Sequence, residues 1–493
     1  VHPAHAAWSA PWRARFCLLL LPTLLWAQQL GETTFANSGA PAAQEAFHEG
    51  LLLLHSFEYD DAREAFQQAR SIDPDFAMAA WGEALTYQHP LWLELDLPSP
   101  RAALESLAPT LEDRLAKAPT EREKDYLRAV EALFFSSEDT DAREDAYAAE
   151  MARLHVRYPG DLDAASLYAL ALLTTAHQGR DFRVYMRAAA VVEEVFAKNT
   201  RHPGAAHYLI HCYDDPVHAP LGLRAAELYG DIAPASSHAL HMPSHIFLAL
   251  GDWDRVVASN EESWAVSEAR VARKGLGPER RDYHSLWWLN YGYLQQGRLE
   301  DARGTIRIAV EEAAREGASR MIRDHASVMR DEYLAETGDW DGEIAQLEVD
   351  TEGLPVQTAI HRFIRGWAAI DRDDPEAAQA ELDDIREIAR QGGTVPVIVG
   401  RQLLGLIRLQ AGETDAALQM LESAAETEDA MPFGYGPPAV VKPSWELLGE
   451  ALLELERYAE AREAFERSLE RTPGRPASVR GLARAVDAMG RQR

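Results

Sequence analysis

The residues in this chain best suited to chemistry are histidines at helical spacing. His207 and His211 lie in HPGAAHYLIHCYDD, and His241 and His245 in HALHMPSHIFLALGDW. Each pair is spaced i, i+4, which puts both imidazoles on one face of a helix. The second pair follows the first by 34 residues, the length of one helix–turn–helix repeat. Two neighbouring helices therefore aim four imidazoles the same way, with His238, His284 and His325 nearby. Imidazole pairs of this kind bind transition metals at about 2.0–2.1 Å per nitrogen, and a nitrogen-rich site suits Zn, Cu, Fe or Ni. Nitrogens of both pairs converging within about 3–4 Å would mark an ion site. Nitrogens spread along a groove would mark peptide binding.

Carboxylates accompany the histidines. Asp214 and Asp215 follow the first pair, and Glu332 follows His325. They are candidate ligands, imidazole-orienting partners or general bases, and equally candidate surface acids. Asp282 and Asp324 precede histidine runs, where helix N-capping is their simplest role. Tyr208, Trp287 and Tyr291 are candidate pocket walls, and Cys212 reads as a buried apolar residue. Pro243 lies between His241 and His245, where it threatens the helix that the second pair requires. Neither a GxSxG elbow nor a phosphate, dinucleotide or flavin signature is present.

The elements that must position these residues are helical. Alanine, leucine, glutamate and arginine dominate, and β-branched runs are scarce. Trp445, Leu448, Gly449, Leu452, Ala461, Phe465, Ser468 and Pro473 form one repeat. Gly50, Leu53, Ala62, Phe66, Ala69 and Pro74 fit the same frame. Inter-helix turns carry Gly251, Gly297, Gly338 and Gly412, where a left-handed conformation is easiest for glycine. This pattern resembles the tetratricopeptide repeat family over most of residues 43–490. The HPGAxHYxIH and HMPSHI motifs resemble an exported bacterial group of such proteins, with no reaction to carry over.

The resemblance implies an all-α, right-handed α-solenoid of about ten stacked helix pairs over residues 43–493, binding partners in a concave groove. With the turn glycine at repeat position 15, the family's positions 2, 5 and 9 face that groove. His238, His241 and His245 then take positions 2, 5 and 9, and His207 and His211 take 5 and 9. His284 and His325 each take position 2, and Glu332 position 9. Seven of these twelve groove positions, all between residues 203 and 332, are histidine, where the overall usage of 17 in 493 would supply about 0.4.

Three readings follow: satisfied core histidines, a polar peptide groove, or a metal site. The expected function is a binding scaffold carrying a histidine-built metal site. The alternative is a metal-dependent hydrolase or oxidase using the same cluster, with a small-molecule substrate.

Bulk properties narrow the setting. The net charge of −30 repels phosphate backbones and argues against nucleic acid. Arg13 and Arg15 before the apolar run Phe16 to Ala27 read as an export signal over residues 1–27, placing the protein in the periplasm or outside the cell. Polar residues 28–42 read as a linker. Removal of the signal leaves Cys212 as the lone cysteine, so no internal disulfide forms, and no later stretch reads as a membrane span.

Overall fold

The computed structural model describes residues 29–92 and 94–491. The expected export signal lies outside the described residues. The chain is an α-solenoid in which each helix packs mainly on its neighbours in sequence. Near the site, Pro203–Tyr213 pairs with Ala219–Ile232, and Tyr283–Gln296 pairs with Leu299–Ala313. Between them, Ser237–His241 and Pro243–Ala249 both pack on Trp253–Lys274. The departure from pure helix is a small antiparallel ladder, Gln88–His89 with Glu94–Leu95, in the register Gln88 to Leu95 and His89 to Glu94. No helix among the described residues is long and apolar enough to cross a membrane.

Short polar side chains start many of these helices. Asp252, Asp282 and Ser236 each accept a backbone N–H of the first turn. Asp324 does not cap: Ser319 starts Arg320–Thr337, so Asp324 sits inside that helix. Gly251, Gly297, Gly338 and Gly412 all take the left-handed conformation expected of them.

Glycine also sets how closely paired helices approach. A Cβ on Gly50 would stand 2.9 Å from the Phe66 ring, and one on Gly82 would stand 2.4 Å from it. Near the other end, Phe465 is clasped the same way by Gly449 and Gly481, at 2.8 and 2.3 Å. In both cases a buried phenylalanine fills the seam that two glycines leave open.

The segment before the first helix is not the linker its polar composition suggests. Leu30 and Phe35 are buried. Glu32 N donates to the Arg201 carbonyl at 2.9 Å, and the Thr33 hydroxyl reaches Asp163 at 2.7 Å. Its few apolar residues are spaced to anchor it across distant repeats.

The C-terminal repeats also touch the middle of the chain. Trp253 Nε1 donates to the Gly474 carbonyl at 2.9 Å. A Cβ on Gly251 would stand 2.4 Å from the Pro473 carbonyl oxygen. Beside this contact, Arg475, 1% exposed, pairs with Glu446 at 2.8 Å, the Tyr291 hydroxyl at 2.8 Å, and Glu336. Lys442 joins Glu446 at 2.9 Å. A buried cation held by two carboxylates and a hydroxyl is the kind of node that fixes register between elements.

Replacing Gly82 with Val should lower stability by about 1–3 kcal/mol through overpacking against Phe66. A urea unfolding midpoint equal to that of the unaltered protein would mean the ring has room to move.

Candidate metal centre

The first histidine set is built on the helix Pro203–Tyr213. His202 caps it, with its Nδ1 accepting Ala205 N, and Pro203 occupies the first turn. Gly204 lets it approach the end of Gln44–His55, since a Cβ there would stand 2.4 Å from His55 Nδ1. His207 and His211 share the inner face, with Nε2 atoms 3.1 Å apart. His238 Nε2 arrives from the next repeat, 3.2 Å from His207 Nε2.

The second set combines His241, His245 and His284, whose ligating atoms all lie within 4.8 Å of one another. Pro243 does not spoil this pair. Met242 keeps right-handed helical dihedrals, at φ −54° and ψ −36°, and its N–H bonds the His238 carbonyl. The Ser244 hydroxyl bonds the His241 carbonyl at 2.7 Å. The chain divides there into two short helices, yet His241 and His245 Nε2 still stand 3.1 Å apart. The two sets adjoin: the His211 and His245 ring centroids are 5.6 Å apart, and those of His238 and His241 are 5.9 Å apart.

The outward nitrogens decide the tautomers. His207 Nδ1 donates to the His55 carbonyl at 2.7 Å. His245 Nδ1 donates to Asp214 Oδ2 at 2.6 Å. His241 Nδ1 donates to Asn260 Oδ1 at 2.6 Å, and Asn260 is oriented by its own bond to the Val256 carbonyl at 2.8 Å. Carboxylate and carbonyl oxygens accept only, so each of these Nδ1 atoms carries a proton, and on the neutral rings of His207 and His241 Nε2 points inward as a lone pair. The His241 and His245 Nε2 atoms then face each other across 3.1 Å. An ion about 2.0–2.1 Å from two nitrogens holds them about 3.4 Å apart at a tetrahedral angle, and closer at smaller angles. The donor atoms fit a transition-metal ion.

Burial keeps His207, His211, His238, His241, His284 and His325 neutral. Desolvation, reinforced by neighbouring imidazoles, holds His211, His238, His241 and His284 well below the ordinary 6.5. Desolvation also brings His207 to about 3 and His325 to about 4. Neutral imidazole is the ligating form.

The histidines do not line an open groove. His207 and His241 are 0% exposed, and His211, His238, His245 and His325 are also buried. Aromatic side chains from four distant segments cover them. Phe57 lies 4.3 Å from His207, Trp92 5.7 Å from His238, Trp288 4.2 Å from His245 and Tyr435 5.5 Å from His211, between ring centroids. Phe57 occupies a turn position held by glycine at 251, 297, 338 and 412, and by Asp373 and Glu456 in two other turns, and adopts a φ of +55°. A bulky residue there carries about 1–2 kcal/mol of strain and is worth reading functionally.

Other candidates have different places. Asp214 is the partner of His245 and also lies within reach of His211. Asp215 braces a turn, accepting from Val217 N, His218 N and His218 Nδ1 at 2.9–3.0 Å, and belongs to neither set. Glu332 accepts from Trp287 Nε1 at 3.1 Å, and burial raises its pKa well above the ordinary value. His325 stacks on Trp287 with its Nδ1 unpartnered and its ring 5.7 Å from His284, outside both sets. Cys212 is buried as expected. Tyr208 is fully buried with its hydroxyl against His55 Nδ1 at 3.0 Å, and Tyr291 holds Arg475.

Sequence reasoning missed Asn260, the covering aromatics and a buried network behind His207. In that network Asp163 joins His55 at 3.0 Å and His202 at 3.3 Å. These residues come from segments with no shared period, so spacing carries no signal for them.

The family model described as Tetratricopeptide repeat matches residues 443–475. The chain contains a tetratricopeptide repeat. That repeat carries the Phe465 clasp described above. No curated protein matches the chain. Among solved structures, it is similar to yeast Tom70 at 14% identity, covering 92% of this chain and 96% of that one, with a TM-score of 0.39. It is also similar to the human IFIT1 dimer with m7Gppp-AAAA at 11% identity, covering 89% and 88%, with a TM-score of 0.39. The tetratricopeptide-type repeat fold supports a protein-binding role.

Two outcomes follow from the imidazole environments. Below pH 6.5 the unfolded chain protonates histidines that the metal-free folded protein keeps neutral, so unfolding takes up protons. Stability should therefore fall as pH drops from about 6.5 toward about 3, by about 1.4 kcal/mol per pH unit for each such histidine. Urea midpoints of the metal-free protein at several pH values measure this slope, and a flat profile would mean the imidazoles are hydrated. Replacing Asn260 with Leu leaves His241 Nδ1–H buried without an acceptor and should cost about 1–3 kcal/mol in the same assay.

Proposed function

We propose that this chain is a metal-dependent enzyme whose repeat solenoid frames two adjacent tri-histidine sites. His207, His211 and His238 form one, and His241, His245 and His284 form the other. The observation that carries this reading is the inward pair of Nε2 atoms, buried and 3.1 Å apart at His241 and His245. With both rings neutral and protonated at Nδ1, two acceptors at that distance repel unless a cation lies between them.

Three protein donors per ion favour catalysis over structure, because structural sites of this kind close with four ligands and catalytic ones keep a position open. An all-nitrogen donor set suits copper, iron or zinc. A redox-active ion in such a site supplies one-electron steps and binding of a small oxidant. The protein's part is to hold the imidazoles in one tautomer through Asp214, Asn260 and the His55 carbonyl, and to exclude bulk water with Phe57, Trp92, Trp288 and Tyr435. Oxidation is favoured over hydrolysis because the candidate bases are committed elsewhere: Asp214 to His245, Asp215 to His218 and Glu332 to Trp287. A small molecule is the favoured substrate, since the histidines are not presented to a peptide. Export through residues 1–27 belongs to the same reading, on the apolar run alone.

Elemental analysis of the full chain, purified without a histidine tag, should find about two transition-metal ions per chain. A His207→Ala/His241→Ala variant should lose them while its circular dichroism stays helical. No metal in the unaltered protein after reconstitution with Cu, Fe or Zn would sink the proposal. Retention of only zinc, with no oxidase activity in the loaded protein, would sink the redox part alone.

A further inference from the structure

A second cluster of ligating side chains lies outside the histidine centre and is not used by it. The helix Thr140–Arg157 carries Asp141, Glu144 and Asp145 at i, i+3 and i+4, so one face presents three carboxylates. That helix packs on Leu162–Thr174, and the turn after Thr174 brings His177 onto the same face. His177 Nε2 donates to Asp145 Oδ1 at 3.1 Å. Its Nδ1 lies 3.4 Å from Asp141 Oδ1 and 3.7 Å from Glu144 Oε2, and neither contact is a hydrogen bond. The ligating atoms of Asp141, Glu144 and His177 all lie within 4.8 Å of one another.

Acids gathered on a helix face are common, and two observations set this group apart. The first is Glu144. It is 7% exposed, and among the described residues it makes no hydrogen bond. A buried carboxylate without a donor is costly unless a cation meets it. Its Oε2 is turned toward His177 Nδ1, on the wall of a cavity of about 470 Å³. The second is the bond from His177 to Asp145. A metal-ligating histidine commonly donates its other ring N–H to a carboxylate, which fixes the tautomer and aims the ligating nitrogen. Here the nitrogen so aimed is Nδ1, and it faces Asp141 and Glu144. Two ligands about 2.0–2.2 Å from one ion stand about 3.4 Å apart at a tetrahedral angle and about 3.7 Å apart at a wider one.

We propose that Asp141, Glu144 and His177 bind a divalent transition-metal ion, zinc the best fit, with Asp145 holding the imidazole in position. One imidazole with two carboxylates is a harder donor set than the all-nitrogen histidine centre, which favours zinc over copper. All three side chains line the cavity, so the remaining coordination position is open to water. The ion ties the helix Thr140–Arg157 to the turn that carries His177. Its ligands belong to neither histidine set, so this site stands or falls apart from the reading above.

The test is equilibrium dialysis of the metal-stripped full chain against micromolar zinc, followed by elemental analysis. The unaltered protein is compared with His177→Ala, Asp141→Asn and Glu144→Gln, each checked for helicity by circular dichroism. Each variant should hold about one zinc ion per chain fewer than the unaltered protein, whatever number the histidine centre retains. Asp141 and His177 are more exposed than Glu144, and their variants decide the matter if Glu144→Gln fails to fold. Asp145→Asn should keep the ion at saturation but weaken its binding about 10–100-fold. Unchanged affinity there overturns the positioning role of Asp145. Equal zinc in the unaltered protein and the folded variants overturns the whole proposal, because His177 is then only ion-paired with its acids. Zinc that survives His177→Ala but is lost in Asp141→Asn overturns it too, by placing the ion on the carboxylates alone.

Discussion

Everything distinctive in this structure depends on the direction of a few imidazole protons. His207, His241 and His245 each give Nδ1–H to an oxygen that can only accept: a backbone carbonyl, an amide and a carboxylate. That choice turns each Nε2 inward, toward a neighbouring imidazole. Burial then removes the water that would otherwise satisfy those nitrogens, and at His207 and His241 it depresses protonation that would neutralise their repulsion. The result is a buried cluster of imidazole nitrogens 3.1–3.2 Å apart, which is the physical basis for proposing a cation there.

Holding such a cluster is a problem of long-range placement that a repeat fold solves by stacking. Successive helices present equivalent positions at a fixed rise, so one repeat supplies His207 and His211 and the next supplies His238, His241 and His245. The outward partners come from further away. Asn260 lies on the second helix of the same repeat, Asp214 follows the preceding one, and the His55 carbonyl ends a helix near the start of the described chain. The covering layer is more dispersed still, with Phe57, Trp92 and Trp288 joined by Tyr435 from a loop between C-terminal helices. The buried Arg475 node and the Gly251–Gly474 approach bring those last repeats back onto the middle of the chain. Closure of the array thus turns what would be a groove into an interior.

That closure explains which expectations survived. The helical period, the turn glycines and the Phe465 clasp depend on contacts within one or two repeats, so their residues sit at fixed separations and can be read along the chain. The convergence of His207 with His211, and of His241 with His245, was legible for the same reason. Pro243 looked like a break because the loss of a hydrogen bond is visible in sequence. The helical dihedrals that Met242 nevertheless keeps are not. Asp324 looked like a cap because its type and position suit one, while Ser319 supplies the oxygen. Residues 28–42 looked like a linker because their composition is polar. Two buried apolar side chains, Leu30 and Phe35, are enough to anchor residues 29–42 against distant repeats.

By itself the sequence determined the helical repeat, the shared face of each histidine pair and the supply of nitrogen donors, since all three follow from periodicity within a helix. Only the tertiary structure decided that the histidines are buried except for the half-buried His284, that His238 and His284 complete two sets while His325 stands apart, and that Asp215 and Glu332 serve other partners. It also decided that His177 meets Asp141 and Glu144. These are contacts between residues tens to hundreds of positions apart. They depend on how far the solenoid curls before its ends meet its middle, and that angle accumulates from small packing differences at every helix pair.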